Sequence, residues 1–227
     1  EHGCKQRLFS DSRHIVVMRK GQLYWFEVLD QEHRSLLTES ELVATLRAIV
    51  RDADGAGGEH AGQEPIGVLS TEKRRTWYEL RTKLEEEPHN RRNLSMIDSA
   101  LFVLCLDDDA PADVTDLTNN MLCGTYRLHD GRQVGTCLNR WYDKLQIIVC
   151  KNGAAGVNFE HSSADGHTVL RFVGDIYTEL ILQFARSINP NTKSLFQAKI
   201  SPFARSEARK HKRASSDMLS DVQARTT

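Results

Sequence analysis

The 227-residue chain has no surplus of charge of either sign: 30 Lys and Arg stand against 31 Asp and Glu, a net charge of -1. That balance excludes a globally basic nucleic-acid binder and an acidic solvating tail. No stretch approaches the roughly 18 uninterrupted apolar residues that a membrane-spanning helix needs, so no span is expected. Neither an initiator Met nor a charged-then-apolar leader opens the sequence, so no targeting segment is expected in it. It starts at Glu1 and stops in a polar stretch, which reads as a piece of something longer. Cysteine is sparse: Cys4, Cys105, Cys123, Cys137 and Cys150 are odd in number, scattered, and never form a CxxC pair. The expectation is buried, reduced thiols in a non-secretory compartment, with no zinc site and no bound cofactor.

What is present suits a globular chain. Hydrophobic residues make up 40% and charged residues 27%, and the length allows one large domain or two small ones. His14 to Arg19 and Gln22 to Leu29 flank Lys20-Gly21 and read as a β-hairpin. Thr38-Glu39-Ser40-Glu41 has capping-box spacing, and apolar residues from Leu42 to Val50 recur at helical period, so a helix is expected over 39–51. Asp52 to Glu64 reads as a flexible loop, and Ile66 to Leu69 as a short strand. Ser70 is expected to cap a helix that carries Trp77, Leu80 and Leu84 and ends before Pro88. A helix over 93–99 and a buried strand over 100–106 follow, stopped by Asp107-Asp108-Asp109. Residues 110–138 read as a Gly-punctuated surface excursion. Strands are expected over 144–150 and 154–160, the second with Ala155, Val157 and Phe159 on one face. A long helix then runs from Thr168 to Asn189, with Val169, Val173, Ile176, Leu180 and Phe184 on its buried side. The whole reads as α/β, one mixed sheet flanked by helices over 1–200. Residues 201–227 form a polar segment whose composition predicts disorder.

Chemistry points to His161. An imidazole at a strand end, in a Gly-bounded loop, can project into a cleft and take a proton from a hydroxyl or a thiol. Asp165 follows four residues on and can hold the ring or the loop. The spacing alone is not diagnostic, since chance gives about 0.6 His-x-x-x-Asp pairs in a chain of this composition. Asp165 can instead brace the loop through an ion pair with Arg140. Arg140-Trp141, Trp25 and Trp77 read as scaffold or core rather than substrate contacts.

The surrounding residues go further. His161-Ser162-Ser163-Ala164-Asp165-Gly166 resembles the HxxxDG motif of coenzyme A-dependent acyltransferases of the chloramphenicol acetyltransferase type. HIVVMRKGQLYWFEVLD (14–30), PIGVLSTEKRRTWYELRTKL (65–84), FVLCLDD (102–108), NRWYDKLQIIV (139–149) and GVNFEHSSADG (156–166) resemble the carnitine/choline acyltransferases, in the family's order. The resemblance covers about residues 10–190 and implies one half of a chloramphenicol acetyltransferase-like fold. It also implies reversible transfer of an acyl group, acetyl preferred, between coenzyme A as co-substrate and the hydroxyl of carnitine. His161 matches the family's catalytic base and Asp165 its acidic partner. Choline or longer-chain carnitine transfer, and a truncated non-catalytic relative, are the alternatives. Family members have two similar halves with the active site in a tunnel between them. The Ser-Thr-Ser oxyanion motif, the lysine-containing coenzyme A segment and the carboxylate-binding residues of the carboxy-terminal half are not in this sequence. The partners implied are therefore carnitine, acyl-coenzyme A and that missing half, without nucleic acid, and the isolated chain is expected to have little activity. The location implied is cytoplasmic, mitochondrial or peroxisomal. The basic run 209–213 reads as a solvated segment.

Overall fold

The structure is a computed structural model that describes residues 6–55, 65–196 and 199–202. Its centre is a five-stranded mixed sheet in the order β2-β1-β3-β6-β7, built from β1 (His14–Arg19), β2 (Gln22–Glu27), β3 (Val103–Leu106), β6 (Gln146–Val149) and β7 (Ala155–Asn158). The three inner strands run parallel, and each edge strand pairs antiparallel with its neighbour. The expected hairpin forms β1 and β2, with Lys20 and Gly21 both at positive φ (51° and 77°), as a tight two-residue turn requires.

Alternation along the strands sends side chains to two cores. Ile15, Val17, Tyr24 and Phe26 meet Ile49 and Ala53 of α1 (Glu39–Gly55) on one face. Val16, Met18, Val103, Cys105 and Ile148 pack on the other, with Trp77 of α2 (Arg74–Leu84), Leu94 and Ile97 of α3 (Pro88–Ser99), and Trp141. The capping box opens α1: Thr38 N–H donates to Glu41 Oε2 at 2.7 Å and Glu41 N–H to Thr38 Oγ1 at 3.4 Å. This helix outruns the expected end at Arg51. Asp52 accepts from the Tyr24 hydroxyl (2.7 Å), Asp54 pairs with Arg19 (2.8 Å), and Ala53 is buried between them. The remainder of the expected loop, 56–64, lies outside the described residues.

Other boundaries also move. Residues Ile66–Thr71 form a 3-10 turn, not a strand. A Cβ on Gly67 would sit 2.5 Å from Arg140 O, so this segment presses on the chain around Arg140 instead of pairing with a strand. Ser70 does not cap α2; its hydroxyl donates to Gly67 O (2.6 Å) and accepts from Tyr142 N–H (3.0 Å). The α3 helix begins five residues earlier than expected, because Pro88 takes its first position, where a missing N–H costs nothing. The 110–138 excursion holds α4 (Val114–Leu122), capped by Asp113, and a small hairpin of β4 (Arg127–His129) and β5 (Arg132–Val134). Most of it is exposed, but Asn120 and Thr136 are buried.

The largest departure is α5 (Gly166–Ile188). Its start and end match expectation, but only Val169 of the expected buried row is buried. Val173, Ile176, Leu180 and Phe184 are exposed, together with Leu170, Tyr177, Ile181 and Ile188. Amphipathic period marks which face is apolar; it does not supply the surface that covers it. At the other end, residues 199–201 return to the fold: Ser201 N–H donates to Ser35 O and Ser201 is buried. Residues 203–227 lie outside the described residues.

Candidate active site

His161 is carried on the exposed turn between β7 and α5. Its ring is exposed and faces Phe159 at 6.1 Å between centroids, tilted by 33°. Among the described residues no hydrogen bond ties up its nitrogens, so both are open to a ligand. The flanking carboxylates shape the turn around it. Glu160 accepts from the Ser162 hydroxyl and backbone N–H, and these hold its carboxyl below the usual range. Asp165 is the N-cap of α5: its Oδ1 accepts from Thr168 N–H (2.9 Å) and hydroxyl (3.1 Å), which lower its pKa, with a smaller contribution from the charge of His161. No hydrogen bond joins Asp165 to the His161 ring.

The expected pairing of Asp165 with Arg140 does not occur. Arg140 is wholly buried against Asp107, also wholly buried, in a bidentate pair with both N–O distances at 2.9 Å. Burial disfavours the charged guanidinium; the Asp107 hydrogen bonds and charge outweigh this and push its pKa up. Arg140 also donates to the carbonyls of Asn120 (2.6 Å) and Asn139 (2.9 Å).

The whole run 139–144 is a set of cross-links. Asn139 Nδ2 reaches Met18 O and Asp107, while its Oδ1 accepts from Gly21 N–H. Trp141 packs edge-on to Trp77 at 5.9 Å, and its backbone N–H donates to Gln146 Oε1. The Tyr142 hydroxyl donates to Leu122 O, at the end of α4. Asp143 accepts from Arg74 and from Trp77 Nε1. Lys144 donates to the carbonyls of Asp98 and Ala100 that close α3. The scaffolding reading of Arg140, Trp141 and Trp77 therefore holds, and Trp25 is a partly buried neighbour of His14 at 5.8 Å.

The thiols divide. Cys105 and Cys150 are buried, Cys123 is exposed and Cys137 is half-buried, so the expectation of buried cysteines fails for Cys123, which the short α4 leaves at its open end. Cys4 lies outside the described residues. No helix among the described residues is long and apolar enough to cross a membrane, and none of their His, Cys, Asp and Glu side chains form a group of three that could hold a metal ion. Sequence reasoning missed Asp107, Asn120 and Asn158. Asp107 is legible in the sequence only as a strand terminator; its burial, which demands a charged or hydrogen-bonding partner, appears only in the structure.

Comparison with known proteins gives the family. The family model described as choline/carnitine O-acyltransferase matches residues 1–227. The chain belongs to that family. It is 49% identical over 210 residues to a putative mitochondrial carnitine O-acetyltransferase of Saccharomyces cerevisiae, covering 86% of this chain and 30% of that protein. A second carnitine O-acetyltransferase of the same yeast is 34% identical over 242 residues, 88% of this chain and 26% of the relative. Human mitochondrial carnitine O-palmitoyltransferase 2 is 39% identical over 178 residues, 77% of this chain and 24% of the relative. The chain thus spans about a quarter to 30% of the curated relatives it matches. Within this choline/carnitine acyltransferase segment, the cross-linking run and the end of β7 meet through α4, by way of Arg140 and Tyr142 on one side and Asn158 on the other.

Proposed function

We propose that this chain is the part of a carnitine O-acyltransferase that carries the proton acceptor, His161, on one half of a chloramphenicol acetyltransferase-like fold. The observation that carries the reading is an exposed imidazole with unbound nitrogens, set at a sheet edge inside the motif His161-Ser162-Ser163-Ala164-Asp165-Gly166. In the forward direction an imidazole nitrogen accepts the proton of the carnitine hydroxyl. The oxygen attacks the thioester carbonyl carbon of acyl-coenzyme A, the new C–O bond forms and the C–S bond breaks. The departing thiolate takes the proton back from the imidazolium. Both substrates meet at one ring, so no covalent acyl-enzyme forms, and placement supplies much of the rate. Asp165 serves as a positioning residue: it starts α5 and fixes the turn on which the ring stands. Coenzyme A is a co-substrate, with no resident cofactor.

Acetyl is the preferred acyl group, in line with the two yeast carnitine O-acetyltransferases. The similarity to a carnitine O-palmitoyltransferase keeps longer chains as the second reading. The pockets that choose belong to the rest of the protein, the carboxy-terminal half, whose contact with this segment would cover the exposed apolar row of α5. A mitochondrial location is proposed from the names of two relatives, both called mitochondrial.

The test uses the full-length protein. Coenzyme A release is measured from acetyl- and palmitoyl-coenzyme A with carnitine, then with choline, for wild type and His161→Ala. The expected result is acetyl transfer to carnitine, reduced by several orders of magnitude in His161→Ala. Near-normal turnover in that variant removes His161 from the mechanism. Turnover with choline alone replaces the alcohol, and no turnover with any pair leaves the non-catalytic relative.

A further inference from the structure

We propose that Asn158 is a positioning residue for His161, latching the end of β7 to the last turn of α4 and through it to the buried Asp107–Arg140 pair; this rests on His161 being the proton acceptor. The strand β7 is four residues long and lies at the sheet edge, hydrogen-bonded on one side only. Its last registered pair is Gln146 with Asn158, so the strand ladder stops three residues short of His161. The side chain of Asn158 supplies what the ladder does not. Its Nδ2 donates to Met121 O at 3.0 Å and Leu122 O at 3.2 Å.

Those acceptors belong to a helix end, where carbonyls lack partners within the helix. Three consecutive carbonyls at the end of α4 accept from other parts of the fold, although that of Asn120 also accepts from Gly124 N–H. Asn120 O accepts from Arg140, Met121 O from Asn158, and Leu122 O from both Asn158 and Tyr142. Gly156 shares a β7 face with Asn158. A Cβ there would lie 2.6 Å from Met121 Sδ, so its absence admits the close approach on which the amide contact depends. The far side of α4 is held firmly: Asn120 is buried, donates to Asp107 at 2.9 Å, and accepts from Thr136. The ring's place is thus referred to an ion pair deep in the sheet as well as to the turn that Asp165 fixes.

The latch contributes little to the stability of the fold, because Leu122 O keeps its bond from the Tyr142 hydroxyl and Met121 is only partly buried, so water can replace the amide at its carbonyl. Its loss should therefore appear in the placement of the ring and not in melting. In the full-length protein, Asn158→Ala and Asn158→Asp are expected to lower kcat about 10- to 100-fold, as displacement of a reacting group by about 1 Å does. KM for both substrates should stay within about twofold and the melting midpoint should be nearly unchanged. Asn158→Gln, with the same amide on a longer stem, is expected to regain part of kcat. A kcat within about twofold of wild type in Asn158→Ala overturns the proposal, as does a loss shared equally by kcat, KM and melting. If His161→Ala itself keeps turnover, the base assignment fails separately, and the latch is read by amide hydrogen exchange over residues 159–164. Asn158→Ala should speed that exchange about tenfold; unchanged exchange refutes the latch.

Discussion

Replacing Asp107 by Asn tests the architecture at its most exposed logical point. Every partner of the Asp107 carboxylate is a donor: Arg140 Nη1 and Nη2 at 2.9 Å, Asn120 Nδ2 at 2.9 Å and Asn139 Nδ2 at 3.1 Å. An amide of the same shape brings an NH2 group to a site with no acceptor, and leaves the Arg140 charge without a counterion at zero exposure. Removing one partner of a buried pair costs about 3–5 kcal/mol, because the surviving charge stays desolvated. At about 2–4 °C per kcal/mol for a domain of this size, the melting midpoint should fall by roughly 10 °C. The assay is thermal unfolding of the full-length protein, with hydrogen exchange of β3 and β6 to assign the transition to these residues. The double variant Asp107→Leu with Arg140→Met removes both charges and should recover much of that loss. A fall of less than about 2 °C in Asp107→Asn, or a double variant less stable than the single one, would refute the reasoning.

Two further outcomes are expected. Asn caps helices about as well as Asp, so Asp165→Asn should keep turnover within about threefold of wild type, while Asp165→Ala should fray α5 and lower both melting and kcat. Strong loss in Asp165→Asn at unchanged melting would instead assign the carboxylate charge to the imidazole. Iodoacetamide at about pH 8, which reacts with thiolates, should label Cys123 in the folded protein and spare Cys105 and Cys150 until unfolding, as read by peptide mass spectrometry. Burial pushes the Cys105 thiol up to about 12, against the pull of Arg140, and also raises Cys150. Equal labelling of Cys105 and Cys123 in the native state would contradict the buried core.

Local chemistry was legible from the residues alone. The Lys20-Gly21 turn, the Thr38–Glu41 capping box and the α5 boundaries follow from short-range rules, since each depends on neighbours within a few positions. The 139–149 and 156–166 stretches were also enough to suggest the family, which the match over residues 1–227 bears out. Three readings failed for want of a long-range partner. Residues 66–69 are apolar enough for a strand, but the Arg140 backbone lies against Gly67 where a strand would have to pair. Asp52 and Asp54 read as loop residues until Tyr24 and Arg19 reach them from β2 and β1.

The α5 stripe is apolar, as its period predicts, yet exposed, because period 3.6 reports the chain's own geometry and never the neighbour's. What the linear order determined, then, is the β1–β2 hairpin, the helices and strands with a strong period of their own, and the family whose motifs they carry. Tertiary structure alone decided that Arg140 belongs to Asp107 rather than Asp165, and that Asn158 reaches α4. The bonds from Arg140 to Asp107 and from Asn158 to α4 join residues separated by 33 and 37 positions. Such pairs form only when the sheet has brought three strands side by side, and no local preference encodes which donor a buried carboxylate will meet.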